Sequence, residues 1–307
     1  MRRDELDEIL SCFPEYRARF YYFKDRYALL LLNLAVARET SKRELTTSRF
    51  AKLLDKQVVK DVLGARGGRP LSAQDFDAYW PIRYECYYLT LGVWGSRDGR
   101  WDQTSRKGYN LVLQLNFSSR HDDPYRKLVD PDGHRPFEMG GHPVAEGPLH
   151  TLAWSRLDID LARGEALIEE IQNDWIREAL WARRMAIRSR ERGYHPSTIV
   201  RNERLIRYVD SVLRQHEALW DEAMLSATVW FLRKEIGIRT IYYHTHRTGA
   251  SLKKISGRLP PRSLYTKLPK KFCFGETRTP PALLQHKPRS VAMRRLLDQA
   301  RFQTLEL

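Results

Sequence analysis

A chain of 307 residues with 42% hydrophobic and 11% aromatic side chains can bury a sizeable core, which excludes a disordered class, and no apolar run reaches the roughly 18 residues of a membrane span. Three widely spaced cysteines without CxxC or Cys/His pairing, and a first stretch MRRDELDEIL without an apolar centre, argue against a disulfide scaffold and a signal peptide, so a cytoplasmic protein with no metal site is expected. The net charge of +15 is regional: residues 233–297 hold 16 Lys and Arg against only Glu235 and Glu276, which suits a polyanionic partner such as RNA or DNA.

Residues 1–75 read as a helical module. Phe20, Phe23, Tyr27 and Leu30 recur at three and four, a helical face, and a second helix is expected from about Thr47 to Gly64. From residue 82 the texture changes. IRYECYYLTLGVW and YNLVLQLNF are aromatic and β-branched and flank a turn-rich stretch, which predicts a long hairpin. Residues 121–150 carry His121, His134, His142 and His150 without periodicity; a loop with solvated histidines is expected there.

Two strands follow, 151–158 and 166–172, joined by a turn at Gly164. Asn173 and Asp174 then stand as candidate caps for a helix from Trp175. Basic helices are expected on either side of RGYHPS, as an insertion over 175–217. HEALWDEAMLSATVWFLRKEIGIRTIYYHT reads as a helix, a glycine stop and a buried strand over 238–244, the second half of a βαβ crossover. A short helix and a hairpin-like pair then lead to a last helix near 289–303. The expected architecture is α+β: a helical module over 1–75, a mixed and mainly antiparallel sheet flanked by helices over 76–288, and a terminal helix over 289–307.

The order strand, helix, strand, short helix, strand, together with SLYTKLPKKFCF, resembles the carboxy-terminal half of the GNAT-type N-acetyltransferase fold. In that family a central strand splays from the next one, and acyl-coenzyme A wedges into the gap. The closing segment carries a tyrosine that often serves as general acid, which the resemblance places at Tyr265. The stretch HTLAWSRLDIDLARGEALIEEIQNDW also resembles a Glu-Glu-Ile-Gln-Ser-Asp-Trp block of phage and mobile-element polyvalent proteins, with Asn173 at the serine position. A GNAT enzyme presents a Gln/Arg-x-x-Gly-x-Gly/Ala loop after its central strand, so that backbone N–H groups can approach the pyrophosphate. This chain has no such loop, and Gly193 is the one glycine in the basic insertion. Either arginines replace the loop or the fold serves another ligand.

The resemblance implies acetyl-coenzyme A or another acyl-coenzyme A as cofactor. Its candidate contacts are Asn173, Arg177, Arg183, Lys253 and Lys254. Glu170 is the candidate general base with Glu169 as its substitute, and strand alternation is expected to send the two to opposite faces. His244, at a strand end, can act as acid or base near neutral pH. Arg258, Arg262, Lys267, Lys270 and Lys271, interleaved with aromatics, are the candidate nucleic-acid contacts. Two functions are expected on these grounds: an acyltransferase acting on a nucleic-acid-associated acceptor, or a non-catalytic nucleic-acid-binding protein of a mobile-element, toxin or phage-defence system.

Overall fold

In the computed structural model, residues 1–36, 40–96, 102–192, 196–255, 260–285 and 291–307 are described. The expected helix break at Gly193, and the candidate contact Arg258, lie outside the described residues. The β-branched and aromatic runs form eight strands: β1 (Ala18–Tyr22), β2 (Glu85–Ser96), β3 (Gly108–Asn116), β4 (Thr151–Asp160), β5 (Glu165–Gln172), β6 (Thr240–His244), β7 (Gly275–Thr277) and β8 (Phe302–Glu306). They make one sheet in the order β1-β2-β3-β4-β5-β6-β8-β7. Its neighbouring pairs are antiparallel except β5 and β6, which run parallel. The expected adjacency of the strands near 166–172 and 238–244 is therefore present, in a mixed and mainly antiparallel sheet flanked by helices.

A parallel pair needs a long crossover, because the chain must return to the same end of the sheet. Helices Trp175–Glu191, Pro196–Arg207 and Trp220–Trp230 supply it. The last of these lies against β3, β4 and β5. Ala223 to Val229 are buried on every side of it, which marks a core helix rather than an amphipathic surface one. Gly237, at φ 80°, provides the left-handed residue that turns the chain into β6.

The two sheet faces differ. One carries Leu89, Leu113, Leu157, Ile168 and Ile171 into a single core that runs from Met1 to Leu305. On the other, Leu167, Tyr242 and Phe302 pack with Leu252, Leu283 and Leu297 in a smaller cluster under the β5–β6–β8 end. The middle of that second face is polar.

Four expectations are corrected. Residues 18–22 are a strand, not a helix: Phe20 and Tyr22 are buried, Tyr21 points away, and β2 offers the backbone partners. The helix begins only at Arg26, after Asp25 takes a left-handed conformation at φ 63°. Within 121–150 a helix spans Ser119–Leu128, and His121 on it is buried against Tyr208 at 2.8 Å rather than solvated. SLYTKLPKK is the helix Ser263–Lys271, whose apolar stripe Leu264, Tyr265 and Leu268 faces the core, so only the short β7 remains of the expected hairpin pair. The terminal segment is helix Val291–Gln299 followed by β8, which inserts between β6 and β7.

Candidate active site

The junction of β4 and β5 holds an irregularity that decides where the carboxylates go. Arg156 faces Glu170 and Leu157 faces Ile168, so Glu169 is an extra residue with no partner on β4. Such a β-bulge re-aims the side chain that it inserts. Glu169 therefore reaches the loop before β3, and Glu170 joins the same cluster through Arg156 and Lys253, correcting the expectation that alternation separates them. The Ser105 N–H donates to Glu169 Oε1 at 3.0 Å and the Ser105 hydroxyl to Oε2 at 2.8 Å. Arg156 ion-pairs with Glu170 and, through the same guanidinium, donates to the Asp102 carbonyl at 2.6 Å and the Gln103 carbonyl at 3.2 Å.

The parallel pairing of β5 with β6 ends at Ile168 and Tyr243. Beyond that point side chains, not backbone hydrogen bonds, join the two strands. His244 Nε2 lies 3.1 Å from Glu169 Oε2 and 2.8 Å from the Ser105 hydroxyl. Lys253, just past helix His246–Leu252, donates to the Glu169 carbonyl at 3.0 Å and to Glu170 Oε2 at 3.3 Å. Gly249 of that helix stands against His244, where a Cβ would come within 3.2 Å of the histidine Cβ.

Every member of this cluster is buried, and their charges constrain one another. Burial works to raise the Glu169 carboxyl, but the hydrogen bond from His244, the field of Lys253 and the Ser105 amide outweigh it and hold the group at about 2. Glu170 is likewise held low, against burial, by Lys253 and Arg156. Burial pushes His244 down despite the Glu169 hydrogen bond, so the ring is neutral at neutral pH. A neutral ring beside an ionised Glu169 carries its proton on Nε2, and Nδ1 is then a buried acceptor with no partner.

At the carboxy-terminal end of β5 the polar row reaches solvent. Asn173, not Asp174, caps the helix Trp175–Glu191, accepting the Ile176 N–H at 2.8 Å. The Asp174 carboxylate is instead gathered by four side chains: His142 Nδ1 at 2.6 Å, Gln172 Nε2 at 2.6 Å, Arg177 Nη2 at 2.7 Å and Trp154 Nε1 at 3.3 Å. These bonds keep Asp174 ionised against its burial. An anion at Nδ1 fixes the imidazole tautomer and leaves Nε2 with the lone pair. The His142 side chain is 28% exposed and that of Asp174 only 5%. The result is an oriented, reachable base beside a buried charged cluster. His142 was missed in sequence because its loop has no period; only the fold brings it to Asp174.

The other expected residues scatter. Tyr265 is buried against Tyr243 and near His246, and burial first, then the field of Glu170, push its phenol well up. Arg183 pairs with Asp210 at 2.8 Å on the outer side of its helix. Lys253, expected on a phosphate-binding surface, is instead sealed inside the cluster. Lys254 is exposed, as are Arg262, Lys267 and Lys270. Lys271 pairs with Glu222 at 2.7 Å. Comparison of the chain with family models, with curated proteins and with solved structures returns no match.

Proposed function

We propose that the protein is a GNAT-like acyltransferase, moving an acyl group from acyl-coenzyme A to an amine on a nucleic-acid-associated or other polyanionic acceptor. The observation that carries this is the end of the β5–β6 pairing at Ile168 and Tyr243, with Glu169, Glu170, His244 and Lys253 filling the divergence. In the family that the sequence resembles, the acyl donor wedges between two neighbouring strands of this kind; here β6 ends at His244, one residue past the last pair.

The amine attacks the thioester carbonyl, the C–N bond forms and the C–S bond breaks. The amine proton passes to His142 Nε2, which Asp174 orients, and the sulfur leaves as a thiolate that takes its proton from solvent; Tyr265, buried in the core, does not reach this base. Glu170, clamped between two cations, is a weak base in this arrangement; with Arg156 and Lys253 it fixes the shape and potential of the site. The donor's phosphates do not fit the first turn of the helix after β5, where Asn173 occupies an amide and the Asp174 carboxylate repels an anion. Arg177, which reaches that turn, is the side chain that would hold them.

The test is release of free thiol from acetyl-coenzyme A with a panel of amines: spermidine, aminoacyl-tRNA and basic peptides. We expect turnover, and a loss of about 10² to 10⁴ in rate for His142→Gln at unchanged melting temperature. No thiol release with any acceptor from the folded protein would contradict the proposal. A second reading, non-catalytic nucleic-acid binding, is favoured by the exposed Lys267 and Lys270 on helix Ser263–Lys271 and the exposed Arg262 just before it. It predicts salt-sensitive binding that survives His142→Gln.

A further inference from the structure

The polar sheet face continues past the charged cluster to the β1–β2 end, where it opens to solvent. Alternation along β1 puts Phe20 and Tyr22 in the core and Arg19 and Tyr21 outside. On β2 the paired residues Cys86 and Tyr88 share that outer side. Glu85, the acid of β2, pairs with the buried Tyr22 and lies on the other side.

The rings here are not packed away. Tyr21 meets Trp80 at 5.8 Å and Tyr84 at 5.6 Å, and Trp80 meets Tyr84 at 5.8 Å. Yet Trp80 is 48% exposed and Tyr84 41%. Guanidinium groups lie over the same patch: Arg17 is 4.3 Å from the Tyr88 centroid and Arg26 is 5.0 Å from that of Trp80. Neither Arg17 nor Arg19 has an acidic partner among the hydrogen bonds and ion pairs of the described residues. A solubilising edge would need the cations but not exposed tryptophan and tyrosine; an apolar docking patch would need the rings but not the cations.

We infer that the β1–β2 face binds single-stranded nucleic acid, with bases stacking on Tyr21, Trp80 and Tyr84 and with phosphates meeting Arg17 and Arg19. Both halves of the chemistry are present: π-faces that any base can use, and unpaired positive charge along a backbone track. The site is distinct from the basic carboxy-terminal helix and stands whether or not acyl transfer occurs.

Fluorescein-labelled oligo(dT), oligo(U) and a duplex of equal length provide the test, by anisotropy on the full chain. We expect both single strands to bind better than the duplex, with the oligo(dT) and oligo(U) arms deciding between DNA and RNA. Tyr21→Ala with Tyr84→Ala should weaken binding by roughly tenfold or more per ring, whereas Tyr21→Phe with Tyr84→Phe should retain it. Arg17→Gln with Arg19→Gln, which needs no ring removed, should flatten the log–log salt slope by roughly 0.7 per lost phosphate contact. Lys42→Gln with Arg43→Gln, exposed on helix Lys42–Thr47 and outside every site considered, is the control for net charge. Equal losses in that control, a duplex preference, or loss of a dimer rather than of oligonucleotide binding in the alanine variant would overturn the assignment.

Discussion

The same sheet face carries arginines beside tryptophans at both ends, with opposite outcomes. At the β4–β6 end Arg156 is 2% exposed, lies 5.2 Å from the Trp94 centroid and is bound to Glu170 and two carbonyls. At the β1–β2 end Arg17 is exposed over the half-buried Tyr88 ring, while Arg26, itself half-buried, lies over the exposed Trp80. Removing a charge from water is costly, so a buried cation needs a counter-ion and acceptors; Arg156 has both through its two terminal nitrogens, though its Nε has no partner, and it holds the shape of the cluster. An exposed cation owes nothing to the fold and is free to meet a ligand. One face therefore holds a sealed, ion-paired cluster at one end and open cations beside exposed rings at the other.

The largest effect that separates the two ends is on stability. Glu170→Gln leaves Arg156 and Lys253 buried without their shared anion, and should cost about 3–5 kcal/mol, a fall in melting temperature on the order of ten degrees. Arg19→Gln should stay within about 0.5 kcal/mol. Similar melting temperatures for the two variants would erase the contrast between buried and open ends.

A smaller effect is the response to acid, which belongs to the buried end alone. The folded pKa of Glu169 lies below its unfolded value, so its contribution is complete above the unfolded carboxyl pKa and is lost as pH falls toward about 2. His244 is also lowered, so below about 6.5 the unfolded chain takes a proton that the folded one refuses. Both act in the same direction. Stability should decline gently from about pH 6.5 and steeply below about 4.5, and Glu169→Gln should flatten the steep part. Melts across that range check it; an unchanged acid limb in the variant would show that the cluster is not the titrating unit.

Strands β2 to β5 and the crossover helices before β6 could be read from periodicity, because their signals are long and do not compete, whereas the polar helix Ser119–Leu128, with Pro124 inside it, could not. β1 could not: its five residues abut a helix, and Phe20, Phe23, Tyr27 and Leu30 satisfy a helical spacing that continues into Arg26–Ala35. The bulge at Glu169 was invisible for a different reason, since a register slip exists only between two strands. Glu169, Glu170 and His244 were found as strand-end ionisable groups. Ser105, Arg156 and His142 were not, because only contacts made by the fold bring them there: Ser105 to Glu169, Arg156 to Glu170 and His142 to Asp174. Tyr265, expected as a general acid in the closing segment, lies instead on a helix whose stripe with Leu264 and Leu268 faces the core.

The central claim is that the divergence of β5 and β6 is a site for an acyl donor. Titrating acetyl-coenzyme A into the full chain and following the melting temperature tests it most directly, because a ligand bound to the folded state alone must stabilise it, by about 2.7 kcal/mol at a hundredfold excess over Kd. The account predicts an upward, saturable shift of several degrees that Arg177→Gln reduces. An unmoved melting temperature at millimolar acetyl-coenzyme A, in a protein that still binds oligonucleotides, would contradict it.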